Sequence, residues 1–359
     1  MNILFISSRD VHDKFQGAPQ CTNRNYESFC ALIGKEQVGV VNLDPGIDET
    51  LKQKIKKRIN ILHGFYWGLS KKKIRQILKT ARDYEVIFID SSFHGIIAYY
   101  LKKWGYKGKI ICHFHNAEIV LRLEKAKRNP LKLWEIGVVY FNEKKAFDYA
   151  DEVVVLNKRD KNTLQKFYGK RDCQIIPISM IDVFHGAVKK DEPISDPPVF
   201  LFIGGDHYAN FHGIRWFIHN VLDEVNIKLQ IAGRGMEKLK KKFSGPKLEI
   251  LDFVPDLSDV IKKADFIISP VFKGGGMKVK TCEALMYGKN IIGTKESFEG
   301  YEVDPSKAGS ICESKKEFIH TIHSIPVNFH KKYNEYTRKC YEENYSFQAT
   351  LGKFRKLLD

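Results

Sequence analysis

The chain has 359 residues, of which 43% are hydrophobic and 28% are charged. A globular domain usually spans about 100 to 200 residues, so the length predicts two domains, and the apolar content excludes an intrinsically disordered chain. The 59 Lys and Arg residues outnumber the 43 Asp and Glu residues, which gives a formal net charge of +16. This charge favours an anionic partner, which could be a polyanion, an anionic membrane surface or an anionic small molecule.

The N-terminal sequence and the cysteines indicate a soluble cytoplasmic protein. The chain begins MNILFI and then turns polar, which is typical of a buried strand rather than of a signal peptide. No segment approaches the roughly 20 apolar residues that span a bilayer. The seven cysteines are widely spaced and form no C-x-x-C pair, so we expect neither a disulfide framework nor a structural zinc site.

Short apolar runs alternate with amphipathic stretches along the first half of the chain. Continuous apolar runs of this length predict strands that are buried on both faces, and their alternation with helices predicts a doubly wound parallel α/β domain. The predicted strands are residues 2–7, 38–43, 86–90, 110–114, 153–156 and 174–178, and the predicted helices are residues 22–33, 93–104, 131–149 and 158–168.

The alternation stops at prolines and charged residues and then resumes, which predicts a linker followed by a second α/β domain. The resumed pattern predicts strands at 199–203, 228–232, 248–254, 266–269 and 290–293, helices at 211–221, 236–243, 257–263 and 277–287, and two or three helices beyond about residue 313. The predicted divisions are a first domain at 1–185, a linker at 186–198, a second domain at 199–330 and C-terminal helices at 331–359.

An anion site is predicted where three glycines connect a strand to a helix. The strand ends at Ser269, the glycines allow close approach of a ligand, and Lys278 and Lys280 fall in the first helical turn. Cations there oppose the helix dipole by a few tenths of a kcal/mol each, a conflict that a bound diphosphate would remove. The alternative is a tight connection whose lysines are simply solvated.

Glu283 lies in the same predicted helix among apolar neighbours, so we expect its side chain to be buried. A buried carboxylate needs partners. Two candidates fit: the ammonium group of Lys280, one turn earlier, and the two hydroxyls of a ribose.

Several short motifs of the second half share one family pattern. They are Gly204-Gly205 with Asn210, LQIAG at 229–233, Phe253-Val254, and the glycine block that ends at Glu283. Together they resemble the C-terminal domain of retaining GT-B glycosyltransferases, in particular the bacterial enzymes that build capsular or other surface polysaccharides. The resemblance is strongest over residues 199–301.

The resemblance implies two Rossmann-like domains that face a cleft, with the C-terminal helices packing back on the first domain. It also implies a nucleotide-sugar substrate, with UDP weakly favoured over GDP, no cofactor, and transfer to a hydroxyl of a glycan or lipid-linked glycan. Lys278 would stabilise the leaving diphosphate and thereby act in catalysis. The donor-binding residues that it implies or that we add from the loop pattern are Gly17, Gly205, Asn210, Gly233, Arg234, Phe253, Val254, Gly274, Gly275, Gly276, Met277, Lys278, Lys280 and Glu283.

One position departs from the family pattern. Many members carry a further glutamate eight residues before the one that matches Glu283, and here that position is Gly275. Because this glutamate contacts the donor sugar in the family, the sugar stays undefined. A nucleotide-sugar epimerase or hydrolase and a noncatalytic nucleotide-binding partner are the alternatives.

In the first half, the sequence CHFHNAE at 112–118 closes a predicted strand. Strand alternation puts His113 and His115 on one face, and the resemblance points to His115 and Glu118 as sugar-positioning groups. A hydrogen-bonded structural histidine is the alternative. Asp90-Ser91-Ser92 lacks the D-x-D pair of metal-dependent sugar transfer, so we expect no obligatory metal.

Residues 51–82 contain eleven Lys or Arg and no Asp or Glu. Apolar residues at helical spacing and the aromatic run Phe65-Tyr66-Trp67 suit the inner surface of an anionic membrane, with the aromatic rings inserted at the interface. The alternative is a helix whose apolar face packs on the sheet and whose lysines are solvated. We expect no nucleic acid partner, because no recognised binding motif accompanies the charge.

Overall fold

The computed structural model describes residues 1–13, 18–43, 59–61, 63–66, 68–184, 190–251 and 254–359. Contacts divide the chain into two units: the first comprises residues 1–177 and 350–359, and the second comprises residues 178–349. Each unit is built around one parallel six-stranded sheet with helices, which confirms the predicted α/β fold class.

The first unit has the strand order β2-β1-β3-β4-β5-β6. Its strands are β1 (Ile3–Ser7), β2 (Val38–Asn42), β3 (Val86–Ile89), β4 (Lys109–Phe114), β5 (Glu152–Val155) and β6 (Gln174–Ile175). Its helices are α1 (Ala18–Ile33), α2 (Lys71–Thr80), α3 (Ile96–Lys103), α4 (Glu118–Arg128), α5 (Leu133–Tyr149) and α6 (Lys158–Tyr168), with short 3-10 helices at Lys35–Gln37, Ala81–Asp83, Ser92–His94 and Pro130–Lys132.

The apolar runs of the first unit supply two cores, one on each face of the sheet. Leu4 and Ile6 of β1 pack into one core, whereas Phe5 packs into the other. Successive side chains of a strand point to opposite faces, so a strand covered on both sides needs apolar residues at every position. On the Phe5 face, the ring of Phe354 packs edge-on against Phe29, with 5.5 Å between ring centroids.

The second unit has the strand order β12-β11-β10-β7-β8-β9. Its strands are β7 (Val199–Ile203), β8 (Lys228–Ala232), β9 (Leu248–Ile250), β10 (Phe266–Ser269), β11 (Asn290–Gly293) and β12 (Gly309–Ile311). Its helices are α7 (Tyr208–Asn220), α8 (Ser258–Lys263), α9 (Val279–Met286), α10 (Lys295–Phe298), α11 (Pro305–Ala308), α12 (Lys315–His323), α13 (Ile325–Asn328), α14 (Glu335–Cys340) and the start of α15 (Phe347–Lys356), with 3-10 helices at Leu222–Glu224 and Met236–Lys241 and a π-helix at Tyr341–Tyr345.

Three helices of the second unit differ from the sequence prediction by more than one residue, and the one expected over 211–221 is Tyr208–Asn220. The helix expected from Met277 begins at Val279, with Lys278 as its N-terminal cap residue in an extended conformation. The helix expected over 236–243 is the 3-10 helix Met236–Lys241, which follows Gly235 in a left-handed conformation. Lys278 therefore precedes the helix, and only Lys280 lies in its first turn.

The strand order reverses between β1 and β3 in the first sheet and between β7 and β10 in the second. Open α/β sheets bind ligands outside the carboxyl ends of their strands at such a reversal. In the second unit, we therefore expect a ligand site at the loops after β7 and β10.

The described part of the basic segment 51–82 packs against the core of the first unit. Ser70 caps α2, and Ile74, Ile77 and Leu78 bury its apolar face while its first lysines stay exposed. Phe65 is only 2% exposed, so the expectation that this ring inserts into a membrane is wrong. Residues 51–58, 62 and 67 lie outside the described residues.

Among the described residues, no helix is both long enough and apolar enough to cross a bilayer.

Candidate functional site

The glycine loop after β10 holds a lysine and a carboxylate together. The Lys278 ammonium group donates to the carbonyl oxygens of Gly275 and Gly276 at 3.2 Å each, and it lies 2.6 Å from Oε1 of Glu296. A Cβ atom at Gly274 would stand 3.0 Å from Cε of Lys278 and 3.2 Å from the same Glu296 oxygen, so a larger residue would have to displace the ends of these two side chains. The ammonium group thus lies over the loop, beside a carboxylate.

Sequence reasoning missed Glu296. This residue lies in α10, which closely follows β11; β11 is next to β10 in the sheet, and its last residue Gly293 is in register with Ser269. The pairing of neighbouring strand ends would have placed Glu296 near the loop, but strand order cannot be read from the motif alone.

A second lysine, Lys280 of α9, is buried beside the end of β7. The ammonium group of Lys280 donates to Oδ1 of Asn210 at 2.9 Å, and the Asn210 amide donates to the Gly205 carbonyl at 3.0 Å. The ammonium group also stands 3.8 Å from the centroid of the Phe202 ring. Lys280 is only 7% exposed, and burial lowers its pKa to about 7. Three of the predicted donor residues therefore form one network.

Gly233 and Arg234 follow β8 and meet the same loop. Gly233 has a φ of 138°, and a Cβ atom there would lie 2.1 Å from the Gly204 carbonyl oxygen, so only glycine fits. The Asp206 amide donates to the Arg234 carbonyl at 2.9 Å, while the Arg234 side chain is exposed.

Glu283 is buried in α9, with 6% of its surface exposed. Its charge acts on Lys280 and partly opposes the lowering of the Lys280 pKa by burial. Met277 is also buried, and its sulfur accepts a hydrogen bond from the Ile178 amide at 3.5 Å. Val254 is half-buried after β9. The predicted residues Gly17 and Phe253 lie outside the described residues.

In the first unit, the His115 ring is hydrogen-bonded to Asp90, which directly follows β3. Its Nε2 atom lies 2.6 Å from the Asp90 carbonyl oxygen and 3.3 Å from Oδ2 of the Asp90 carboxylate. Thr22 and Asn25 of α1 donate to that carboxylate at 2.5 and 2.7 Å. Although burial disfavours a charged ring, Asp90 raises the pKa of His115 to about 9.

His113 and His115 do share a face of β4, as strand alternation predicts, with ring centroids 4.7 Å apart. Their environments differ. His115 keeps 8% of its surface exposed, whereas His113 is fully buried and neither of its ring nitrogens has a hydrogen-bond partner. Desolvation lowers the pKa of His113 well below its usual range.

Glu118 begins α4 immediately after this histidine segment. Its Oε1 atom accepts a hydrogen bond from Asn116 at 2.9 Å, and its Oε2 atom lies 3.4 Å from the Arg122 guanidinium. The amides of Glu118 and Ile119 donate to the carboxylate of Glu143 in α5, at 2.9 and 3.1 Å. Glu143 therefore fixes the start of α4.

Glu143 is a second residue that sequence reasoning missed. It is fully buried and also accepts hydrogen bonds from Tyr168 at 2.7 Å and from Ser92 at 3.1 Å. Burial raises its pKa to about 8. Nothing in the predicted helix 131–149 distinguishes this glutamate from its exposed neighbours.

Among the described residues, one group of His, Cys, Asp and Glu side chains has its ligand atoms close enough to hold a metal ion. It consists of Cys21, His113 and His115, whose candidate ligand atoms all lie within 4.8 Å of one another.

The two parallel α/β units have the GT-B fold of solved glycosyltransferase structures. Residues 197–325 match the family model described as Glycosyl transferases group 1. The chain is 24% identical over 310 residues to an uncharacterised glycosyltransferase of Methanocaldococcus jannaschii, MJ1069, which covers 77% of this chain and 75% of the relative.

Two solved structures share the fold over nearly the whole chain. Sucrose-phosphate synthase of Thermosynechococcus elongatus superposes with a TM-score of 0.70 at 15% identity, covering 99% of this chain and 98% of that one. HepE of Anabaena in complex with UDP superposes with a TM-score of 0.67 at 13% identity, covering 100% and 99%. HepE has also been solved with UDP-glucose. The comparisons thus give a GT-B fold for nearly the whole chain and a group 1 glycosyltransferase match for residues 197–325.

Proposed function

We propose that this protein transfers a sugar, with retention of its anomeric configuration, from a nucleotide-sugar to a hydroxyl of a glycan or lipid-linked glycan during the synthesis of a surface polysaccharide. The main support for this proposal is the pair of loops after β7 and β10, where the strand order reverses. These loops bring two lysines, an asparagine and a glycine-rich backbone to the carboxyl end of the second sheet. The HepE complexes, which hold UDP and UDP-glucose, support a UDP-sugar as donor.

The donor diphosphate binds at these loops. The ammonium group of the buried Lys280 donates to the neutral amide oxygen of Asn210. A diphosphate would supply it with a full counter-charge. During transfer, negative charge grows on the leaving diphosphate, and ammonium groups already fixed in place stabilise it without the cost of reorganisation.

Lys278 is the second cation for the diphosphate. In this structure its partner is Glu296, which lies where a phosphate oxygen could also accept from the ammonium group. A diphosphate that enters the loop therefore competes with Glu296 for Lys278.

Glu283 is proposed to bind the ribose, because a buried carboxylate in α9 can accept hydrogen bonds from two adjacent hydroxyls. For the first unit, we propose that His115 and Glu118 position the transferred sugar. The hydrogen bond that His115 donates to the Asp90 carbonyl and the one that Glu118 accepts from Asn116 hold these two side chains in fixed orientations.

The experiment that tests the donor site measures UDP binding by calorimetry on the full chain. We expect Lys280→Met to weaken UDP binding by about 10- to 100-fold, which corresponds to about 1.4 to 2.8 kcal/mol. The matched control is Lys263→Met, the same change at an exposed lysine of α8, and it should leave the affinity unchanged. Unchanged UDP affinity in a folded Lys280→Met variant would refute the site.

Turnover of UDP-sugars with and without a hydroxyl acceptor separates the alternatives. Sugar release that needs no acceptor identifies a hydrolase, and a changed sugar still bound to nucleotide identifies an epimerase. Binding without turnover identifies a noncatalytic partner.

We also propose that the protein docks on the inner face of an anionic membrane, through exposed apolar side chains at 131–134 rather than through the buried ring of Phe65. Leu131, just before α5, and Leu133 and Trp134, at its start, are 84%, 59% and 48% exposed. The exposed cations Lys127 and Arg128 precede them in the chain. Apolar side chains beside cations suit the interface of an anionic bilayer, where each basic residue contributes about 1 kcal/mol.

A further inference from the structure

Three side chains of the first unit bring a thiol and two imidazoles together. Cys21 lies in the first turns of α1, and His113 and His115 lie at and just beyond the end of β4. Their candidate ligand atoms are within 4.8 Å of one another, and all three residues are buried. None of these contacts belongs to the donor loops of the second unit.

The hydrogen bonds of His115 resemble those of a metal-bound histidine. The Asp90 carbonyl oxygen can only accept, so the Nε2 atom at 2.6 Å carries the hydrogen. Histidines that bind metals usually donate one ring N–H to a carbonyl or carboxylate, which leaves the other nitrogen for the ion. In His115, that other atom is Nδ1, which releases its proton to solvent when it binds the metal.

His113 is the independent observation that points to a ligand. It is 0% exposed, and neither Nδ1 nor Nε2 has a hydrogen-bond partner. An unpaired buried polar group costs about 1 to 3 kcal/mol, and a bound cation would satisfy one of these nitrogens. No other contact of His113 in the described structure does so: its ring neighbours are Phe88 and His115.

Cys21 supplies the third ligand. Its thiol is not part of a disulfide, and the Arg24 guanidinium lies 3.4 Å from its sulfur. A neighbouring cation favours the thiolate, which is the form of cysteine that binds metals.

We propose that Cys21, His113 and His115 form a binding site for a borderline-soft divalent cation of the zinc class. One thiolate and two imidazoles match the ligand preference of Zn²⁺, and three protein ligands leave a fourth position open. The inference does not rest on the proposed transfer reaction, because its test is spectroscopic and needs no turnover. A cation bound to His115 would also occupy the ring that we assign to sugar positioning.

Cobalt titration of the full chain tests the site, because Co²⁺ takes the place of Zn²⁺ and reports its ligands by absorption. We expect one equivalent of Co²⁺ to give a thiolate-to-cobalt charge-transfer band in the near ultraviolet, and Zn²⁺ to displace it. Cys21→Ser should abolish the band. Cys30→Ser is the matched control, a half-buried cysteine of the same helix, and should keep the band.

His113→Phe separates ligation from folding. Phenylalanine fills similar space without the two unpaired nitrogens, so the variant should fold at least as stably as the metal-free protein. It should weaken Co²⁺ binding by more than the 10- to about 100-fold loss that is typical of outer-shell partners. Wild-type affinity in this variant would overturn the assignment of His113.

A measurement on the unaltered protein keeps the test independent of any variant. Zn²⁺ should slow alkylation of Cys21 and leave alkylation of Cys30 unchanged, as read by mass spectrometry of the two peptides. Three results would overturn the proposal: no charge-transfer band in the wild type, a band that survives Cys21→Ser, or an alkylation rate at Cys21 that Zn²⁺ does not change.

Discussion

The buried carboxylate of Glu143 makes the stability of the first unit depend on pH. Its pKa lies at about 8 in the folded protein, against an ordinary value of 4.5, because burial disfavours the ionised form. Between these two values the folded state binds a proton that the unfolded state has lost. The protonated Glu143 therefore contributes fully to the free energy of unfolding below pH 4.5. This contribution falls as the pH rises to about 8, by about 1.4 kcal/mol for each pH unit.

Glu143→Gln removes this titration and keeps most of the hydrogen-bonding shape. At low pH the variant is expected to be less stable than the wild type, because the two oxygens of the protonated acid can both accept from the Glu118 and Ile119 amides, whereas glutamine offers one oxygen. As pH rises from about 5.5 to about 7.5, the wild type should lose about 3 kcal/mol relative to the variant.

Hydrogen exchange at the amides of Glu118 and Ile119 is the local assay, and urea unfolding followed at several pH values is the global one. Glu135→Gln on the same helix is the control, because Lys125 and Lys132 keep that glutamate ionised and its pKa low. A stability difference between wild type and Glu143→Gln that stays constant across this pH range would show that Glu143 is already ionised and that the reasoning is wrong.

Three further changes test the remaining assignments. Glu296→Gln should tighten UDP binding by about fivefold in calorimetry, or about 1 kcal/mol, because Lys278 then loses a competing carboxylate; weaker binding would instead assign Glu296 to the donor. His115→Ala should lower sugar transfer at least about tenfold while UDP affinity stays within about twofold, and an equal loss of both would contradict a role at the sugar. Trp134→Glu should reduce cosedimentation with anionic vesicles, whereas Trp104→Glu, at another exposed tryptophan of the first unit, should not; equal binding by both would remove the proposed membrane surface.

The fold was largely predictable because a parallel sheet covered on both faces requires continuous apolar runs. The predicted helix 158–168 has the observed bounds, since Asn157 caps it by accepting a hydrogen bond from the Asp160 amide. The start of α9 was not predictable in the same way. Met277 is held by a contact with Ile178, ninety-nine residues away in the chain, and such contacts are not visible in a local pattern.

The same difference between local motifs and contacts over long sequence distances separates the site residues that were predicted from those that were missed. Gly205, Asn210 and Lys280 were predicted because each belongs to a short motif, although their network joins loops seventy residues apart. Glu296 and Glu143 were missed because their partners are set by strand order and helix packing. The burial of Phe65 was not predicted, because the many lysines of the segment suggested a solvent-exposed surface. Its apolar side chains pack into the core instead.

UDP binding at the donor loops should depend on pH through Lys280, and this dependence tests the site. Burial lowers the pKa of Lys280 to about 7, and the nearby Lys278 also lowers it while Glu283 opposes the shift. A bound diphosphate favours the charged ammonium group, so UDP binding at about pH 8 should take up close to one proton, since the β-phosphate is already ionised there. UDP affinity should then fall by up to about tenfold for each pH unit above 7. Calorimetry in two buffers of different ionisation enthalpy measures the uptake, which Lys280→Met should abolish. If wild-type protein binds UDP at pH 8 without proton uptake, Lys280 either stays charged in the free protein or does not meet the diphosphate.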